Sequence, residues 1–406
     1  MFVASTYFET FPLKRAWCSL TFNVHVRKRT QLQFLLGHVM PPPPKRRRHD
    51  DSQVLTLAGD CDGLGAGAVA LKMILGGNRF RHLWASEICP ATKVLLAASH
   101  PDIEHIYDDV TLRDHTTLPQ PDVYVSGPPC QPFSIAGKGL ALGDCRSKAL
   151  ISVVETISTA KPNVFLVEEV AALMSRCPDV LLTIIEIFRS IQDSLGRCVY
   201  HVDFAIIDSQ NHGLAQVRKR LYIIGIKKQR QIPNFDFQWP PSLARKTHID
   251  EFLLPVQPGS HPILPTSNTC LTNLIALWER LPSDIDPRST TVVLDPHSSL
   301  GRGKNFKIGI CPTLTRARCG CGGFYISRHQ RFMRTKEMLR LQGFIDGAIV
   351  YQNLTYRTAA GRKVKVTRRR VNLAIGNSMS VPVVGRILHR LLQATGYIGN
   401  SADPWE

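Results

Sequence analysis

In the stretch Val125–Ser134, VSGPPCQPFS, a single thiol sits between two prolines and Gln131–Pro132. Pro128 and Pro129 fix φ on the approach to Cys130, and Pro132 restricts the backbone at Gln131. A cysteine used only for packing tolerates many backbones. A nucleophile does not, because a misplaced thiolate loses most of its rate advantage. The apolar run PDVYVSG leads into this loop. That places the thiol at the carboxyl end of a strand, where open α/β sheets hold their ligands. Pro-Cys also occurs in ordinary loops, so catalysis requires other groups to converge on it.

Three segments carry such groups. FLVEEV (Phe165–Val170) ends an apolar strand with two carboxylates, and isolated buried charge is costly. Successive strand side chains face opposite ways, so Glu168 and Glu169 should not share a site; one of them is available to face the thiol. QVRKR (Gln216–Arg220) alternates Gln216, Arg218 and Arg220 onto one face. That is a fork of donors suited to a carbonyl or phosphate, or else a solvated edge strand. LAGDCDGLGAG (Leu57–Gly67) is a Gly-rich turn between a strand and a helix. Asp60 and Asp62 make the turn anionic, which repels a pyrophosphate and suits a cation. Glu87, at the end of the second strand, suits ribose hydroxyls. An adenosine-bearing cation satisfies both conditions, and S-adenosylmethionine is the common one. A nicotinamide dinucleotide is the alternative on this motif alone.

The elements that must position these groups follow an α/β rhythm from Val54 onward, of short apolar runs alternating with amphipathic segments. QVLTLAG, FRHLWASEI, PDVYVSG and NVFLVEEV read as strands, GAGAVALKMIL as the first helix, and HVDFAIID and KRLYIIGIK as paired late strands. Residues 227–310 are richer in proline and lack the rhythm, as an inserted module would. TKEMLRLQGF and SVPVVGRILHRLLQATG restore the helical pattern, the latter closed by Gly396.

The 406 residues carry a net charge of +18, which is not spread evenly. Residues 311–370 hold fourteen Lys/Arg against two acids, a density suited to phosphates. No run approaches the roughly 18 apolar residues of a membrane span. The eleven cysteines are odd in number and scattered, which fits a reducing compartment better than a disulfide framework. Cys311, Cys319, Cys321 and His329 lack a paired C-x-x-C knuckle, so no metal site is expected. In MPPPPKRRRHDD (Met40–Asp51) a proline tract precedes the basic cluster Lys45–Arg48, which reads as a nuclear-import signal. The acid-poor first 39 residues also suit an organellar transit peptide, and Met40 is a third reading of the true start.

Over roughly Val54–Leu392 the chain resembles the C5-cytosine methyltransferases, with five blocks in the family's order. GPPCQPFS matches the nucleophile loop, FLVEEV the Glu-Asn-Val strand, and NHGLAQVRKRLYIIG the Gln-x-Arg-x-Arg block. RFMRTKEMLRLQGF and AIGNSMSVPVVGRIL match the last two blocks. CDGLGAGAVALK is most similar to the animal de novo members, preceded by a few-residue insertion near Ala58–Asp60; PTLTRARCGCGGFY is more similar to bacterial and phage members.

The resemblance implies a Rossmann-like S-adenosylmethionine-dependent methyltransferase sheet with a smaller inserted target-recognition domain. The expected parts are a basic extension 1–52, a catalytic domain 53–226, a target-recognition module 227–325, and a return to the catalytic domain over 326–400, with a basic insertion at 345–370. It also implies roles. Cys130 would add to cytosine C6, Glu168 would engage N3, and Arg220, with Arg218 in support, would hold the O2 edge. Asp62, Gly63, Leu64 and Gly65 would line the methionine end of the cofactor, Glu87 the ribose and Asp109 the adenine amino group. Asn377 and Ser378 would close the pocket from the final helix. Gln131, Ser134, Arg331, Arg334, Lys363, Lys365 and Arg368 are the expected nucleic-acid contacts, and the partner is DNA, double-stranded, with no membrane. KVKV (Lys363–Val366), with Ala-Ala-Gly as a turn before it, reads as a phosphate-binding ribbon or as an edge strand guarded by lysines.

Glu169 departs from the family, which has Asn there, and this changes the hydrogen bonding beside the catalytic strand. Two other readings compete. One is the branch that methylates transfer RNA; its Cys-Phe-Thr signature is absent where this chain reads RCGCGGFY. The other is a decayed nucleic-acid-binding homologue, against which Cys130, Glu168, Arg218, Arg220 and Glu87 all remain together.

Overall fold

The computed structural model describes residues 54–406 except 78, 130–146, 257, 258, 260, 302 and 304. The apolar runs form a seven-stranded sheet in the spatial order β3-β2-β1-β4-β5-β7-β6. Its strands are β1 (Leu55–Asp60), β2 (Phe80–Ser86), β3 (Ile103–Tyr107), β4 (Val123–Ser126), β5 (Val164–Val170), β6 (Tyr200–Asp208) and β7 (Lys219–Lys227). The pairings among β1 to β5 are parallel; β7 runs antiparallel to both β5 and β6. β5 is an interior strand, between β4 and β7, and its near-continuous apolar run allows it to be covered on both faces.

Parallel neighbours need crossovers, and these wind both ways from β1. One face of the sheet carries α1 (Ala66–Leu75), α2 (Pro90–Ser99), α9 (Arg368–Asn377) and α10 (Val381–Ala394), packed in one apolar cluster with Leu57, Val164 and Leu166. The other face carries α3 (Ser147–Ala160) and α5 (Pro178–Ser190), packed with Ala58, Phe165 and Val167. α10 is buried along nearly its whole length, because the C-terminal segment covers its polar stripe: Arg386 pairs with Asp403 (2.6 Å) and Glu406 (3.0 Å), and His389 lies 3.1 Å from the Ser401 hydroxyl. The short α4 (Ala172–Arg176) links β5 to α5.

A second, four-stranded sheet has the order β11-β10-β8-β9, from β8 (Val292–Leu294), β9 (Phe306–Ile308), β10 (Tyr325–Ile326) and β11 (Arg331–Phe332). It packs with Leu274 and Leu277 of α6 (Asn268–Glu279) in a separate small cluster. This sheet extends a few residues past position 325. α7 (Arg316–Gly320) and α8 (Thr335–Leu341) follow β9 and β11. β12 (Thr355–Arg357) and β13 (Lys363–Lys365) form an antiparallel hairpin, so KVKV is a strand and the Ala-Ala-Gly lies in its turn.

Ala58–Asp60 forms the last half of β1, with a register shift against β2. One expectation about the helices is corrected. Asn377 and Ser378 end α9, the penultimate helix, rather than belonging to the last one. Among the described residues, no single helix is long and apolar enough to cross a membrane.

Candidate functional site

The carboxyl ends of β1, β2, β3, β4 and β5 share one edge of the sheet, and antiparallel β7 begins there, with Arg220 opposite Val170. At this edge the Gly-rich turn leaves β1 through Cys61, at φ 56, a left-handed conformation uncommon for a side-chain-bearing residue. Gly63 and Gly65 also have positive φ, and Gly65 caps α1. Ser86 accepts the Asp62 N–H at its carbonyl (3.0 Å) and the Cys61 N–H at its hydroxyl (3.2 Å).

Asp62 is buried, and its Oδ2 has no hydrogen-bond partner. Burial pushes its carboxyl well above the usual range, with the negative charges of Asp60 and Glu87 adding to the effect. Glu87 is also raised by burial, against the hydrogen bonds it accepts from the Cys89 and Gly63 N–H groups. Two carboxyls biased toward their neutral form, one with an orphaned oxygen, are suited to a ligand that brings positive charge. Asp60 does not belong to this pair. Its carboxylate takes both Arg113 nitrogens (2.8 and 2.7 Å), the Tyr124 hydroxyl (2.8 Å) and Thr156 (3.2 Å) on the opposite face. The acidic groups of the turn left for a ligand are therefore Asp62 and Glu87.

Asp109, past β3, caps a short 3₁₀ turn by accepting from the N–H (2.9 Å) and hydroxyl (2.8 Å) of Thr111. It lines a depression with Tyr107, Leu112 and Arg113. Beside these carboxylates stand two apolar side chains that no sequence pattern singles out, Ile88 at 65 % exposure and Leu112 at 84 %. Large apolar groups left in water at a sheet's ligand-binding edge are suited to covering a flat, weakly polar ring.

On β5 the two glutamates face opposite ways, as alternation requires. Glu168 Oε1 lies 3.0 Å from Arg220 Nε, an ion pair off the axis of a hydrogen bond, and 3.8 Å from Arg218 Nη2. A Cβ built at Gly127 would stand 3.7 Å from Glu168 Oε2, so the carboxylate borders the strand that leads to Cys130. Cys130, Gln131 and Ser134 lie outside the described residues. The expected fork of Gln216, Arg218 and Arg220 divides. Gln216 is buried, donating to Leu341 O and accepting from Leu314 N (both 2.8 Å). Arg218 is buried and donates to Leu314 O (2.9 Å) and Ser378 O (2.7 Å). These two hold the distant segments together, which leaves Arg220, only half-buried, as the member best placed for a substrate. Of the α9 pair, Ser378 is buried under Arg218 while Asn377 is exposed.

Glu169 occupies the other face, fully buried. Its Oε2 accepts the Val170 N–H (3.1 Å), and its Oε1 has no partner. Burial lifts its pKa to about 8, so this carboxyl is mostly neutral at neutral pH.

The expected nucleic-acid contacts also divide. Arg331 is buried and paired with Glu337 at 2.6 Å, which fixes β11 to α8; it is a structural residue, not a phosphate contact. Arg334, Lys363, Lys365 and Arg368 are exposed. The hairpin and the first turn of α9 add Arg357, Arg362, Arg369 and Arg370, and no acid occurs between Asp346 and Asp403. Three arginines in the first turn of a helix oppose its macrodipole, so their placement does not serve the helix. Cys311 and Cys319 are buried in the main core, Cys321 is exposed, and among the described residues no three His, Cys, Asp or Glu groups are placed to hold a metal ion.

Several known proteins are similar to this chain in sequence or in fold. Type II methyltransferase M.NgoBI of Neisseria gonorrhoeae is 27 % identical over 282 residues, 69 % of this chain and 77 % of its own length. Type II methyltransferase M.HaeII of Haemophilus aegyptius is 26 % identical over 300 residues, 72 % of this chain and 81 % of its own. The fold matches that of a solved Dnmt2 methyltransferase from S. pombe with a TM-score of 0.57 at 16 % identity, covering 84 % of this chain and 98 % of the other. The sequence relatives are bacterial, which lends no support to the nuclear address read from Lys45–Arg48, in a segment outside the described residues. The C-5 cytosine-specific DNA methylase family matches residues 60–393, and the chain belongs to that family.

Proposed function

We propose that this DNA cytosine-5 methyltransferase works on a base flipped out of double-stranded DNA, with Cys130 as nucleophile. The observation that carries the reading is Glu168 held beside Arg220 on the face that borders Gly127, with the turn that follows β1 carrying the buried Asp62 carboxyl. S-adenosylmethionine supplies the electrophilic methyl group when bound. Asp62 to Gly65 and Glu87 would hold its methionine and ribose parts, Asp109 the adenine amino group, and Ile88 and Leu112 would cover the adenine ring.

Cytosine C5 is too weak a nucleophile to be alkylated unaided. Addition of the Cys130 thiolate to C6 turns the ring into an enamine whose electron pair is available at C5. Glu168 holds a proton at N3 and relieves the charge that develops there, while Arg220 donates to O2. After alkylation, loss of the C5 proton expels the thiolate. Extruding the base costs on the order of a few kcal/mol. Phosphate contacts from Arg334, Lys363, Lys365 and Arg368 would offset that. Residues 227–325, around the second sheet, are the proposed target-recognition module.

The test is transfer of a tritiated methyl group to duplex DNA, single-stranded DNA and transfer RNA. The proposal expects duplex DNA to be labelled at cytosine and Cys130→Ser to abolish labelling. Labelling of transfer RNA alone would overturn the substrate assignment.

A further inference from the structure

We propose that His100 is a positioning residue for the cofactor turn, fixing the Leu64 carbonyl so that the backbone of Asp62–Gly65 is held ready for S-adenosylmethionine. The proposal rests on the cofactor reading of that turn given above. His100 lies just past α2, 36 residues from Leu64 in the chain, and its Nε2 stands 3.1 Å from Leu64 O. A carbonyl oxygen only accepts, so Nε2 carries the hydrogen, and the ring tautomer is set. The ring is 2 % exposed and Leu64 is fully buried, so water cannot replace either partner. Burial also keeps the histidine pKa below its ordinary value, consistent with a neutral ring.

The contact governs the chemistry of the next position. A Cβ at residue 65 would stand 2.4 Å from His100 Nε2, and Gly65 has φ 73. The imidazole thus occupies the space a side chain would take, and the turn passes over it as bare backbone. Three contacts hold this turn: Ser86 takes the Asp62 N–H, Glu87 the Gly63 N–H, and His100 gives to Leu64 O. The first two come from the end of β2; His100 ties the turn by a hydrogen bond to the far end of α2.

The test compares His100→Gln, His100→Asn and His100→Ala. A glutamine amide nitrogen reaches the place of Nε2, whereas an asparagine nitrogen reaches only that of Nδ1. S-adenosylhomocysteine binding by calorimetry and the KM for S-adenosylmethionine should weaken by about tenfold in Asn and Ala, the loss of one buried hydrogen bond. Gln should stay within about threefold of wild type, and kcat at saturating cofactor should be unchanged in all three. Thermal melting checks that each variant is folded. Equal affinities for Gln and Asn, or a fall in kcat without a rise in KM, would overturn the proposal. A wild-type protein that binds no S-adenosylhomocysteine would instead overturn the cofactor reading on which it rests.

Discussion

Raising the pH should destabilise this protein through one side chain, Glu169, and replacing it with glutamine should remove the effect. The carboxyl is fully buried, with one oxygen unpartnered, and its pKa rises from 4.5 to about 8, chiefly through burial. Glu168 on the same strand raises it further; the Val170 N–H and Arg220 oppose. Cys61, across the sheet edge, feels the Glu169 charge in turn. Between the unfolded and folded pKa values the native state binds a proton that the unfolded chain has released, so stability falls as pH rises through this window. It is fully present below 4.5 and fully lost above about 8. At about 1.4 kcal/mol per pH unit the whole shift amounts to roughly 5 kcal/mol, of which some 2–3 kcal/mol falls between about pH 6 and pH 9. Glutamine is neutral throughout. Urea unfolding of wild type and Glu169→Gln at a series of pH values, taken as a difference, cancels the other titrating groups. The variant should gain on the wild type by about 2–3 kcal/mol across that range. Parallel curves would refute the reasoning, because they would mean that the carboxyl is solvated or paired in the folded state.

Binding of S-adenosylmethionine should release protons at pH values where the raised Asp62 and Glu87 carboxyls are still partly protonated, since its positive charge favours their ionisation. Calorimetry in buffers of different ionisation enthalpy reads this directly, and the neutral S-adenosylhomocysteine should release fewer. Arg113→Met should destabilise the fold by about 3–5 kcal/mol, because it strands the buried Asp60 carboxylate; the measurement is denaturant unfolding, and Asp60→Asn added to it should recover part of the loss. Lys363→Gln combined with Lys365→Gln should lower the slope of log affinity against log salt by about 2, at roughly 0.9 per phosphate contact. Turnover at saturating DNA should be unchanged in that variant, and an unaltered slope would mean the ribbon does not touch DNA.

Most of the central sheet was legible because its strands are short apolar runs, as in LTLAGD and VFLVEEV. The separation of Glu168 from Glu169 followed from strand alternation alone. What sequence could not show was which charges are already satisfied. Asp60 and Asp62 look equivalent two residues apart, yet Arg113, fifty-three residues from Asp60, neutralises one and leaves the other exposed to its neighbours' field. Arg331 and Arg334 likewise look alike until Glu337 folds back onto the first. The α2 contact to Leu64 was hidden for the same reason, since a histidine ending a helix carries no local signal of the backbone it will meet. The small second sheet escaped because its strands are two or three residues long.

The most direct test of the account uses duplex DNA carrying 5-fluorocytosine, incubated with the protein and S-adenosylmethionine. Fluorine at C5 cannot leave as a proton does, so the covalent intermediate persists. The account predicts a protein–DNA adduct that survives a denaturing gel, maps to Cys130 and is lost in Cys130→Ser. Absence of an adduct on DNA of many sequences, or an adduct that persists in Cys130→Ser, would contradict it.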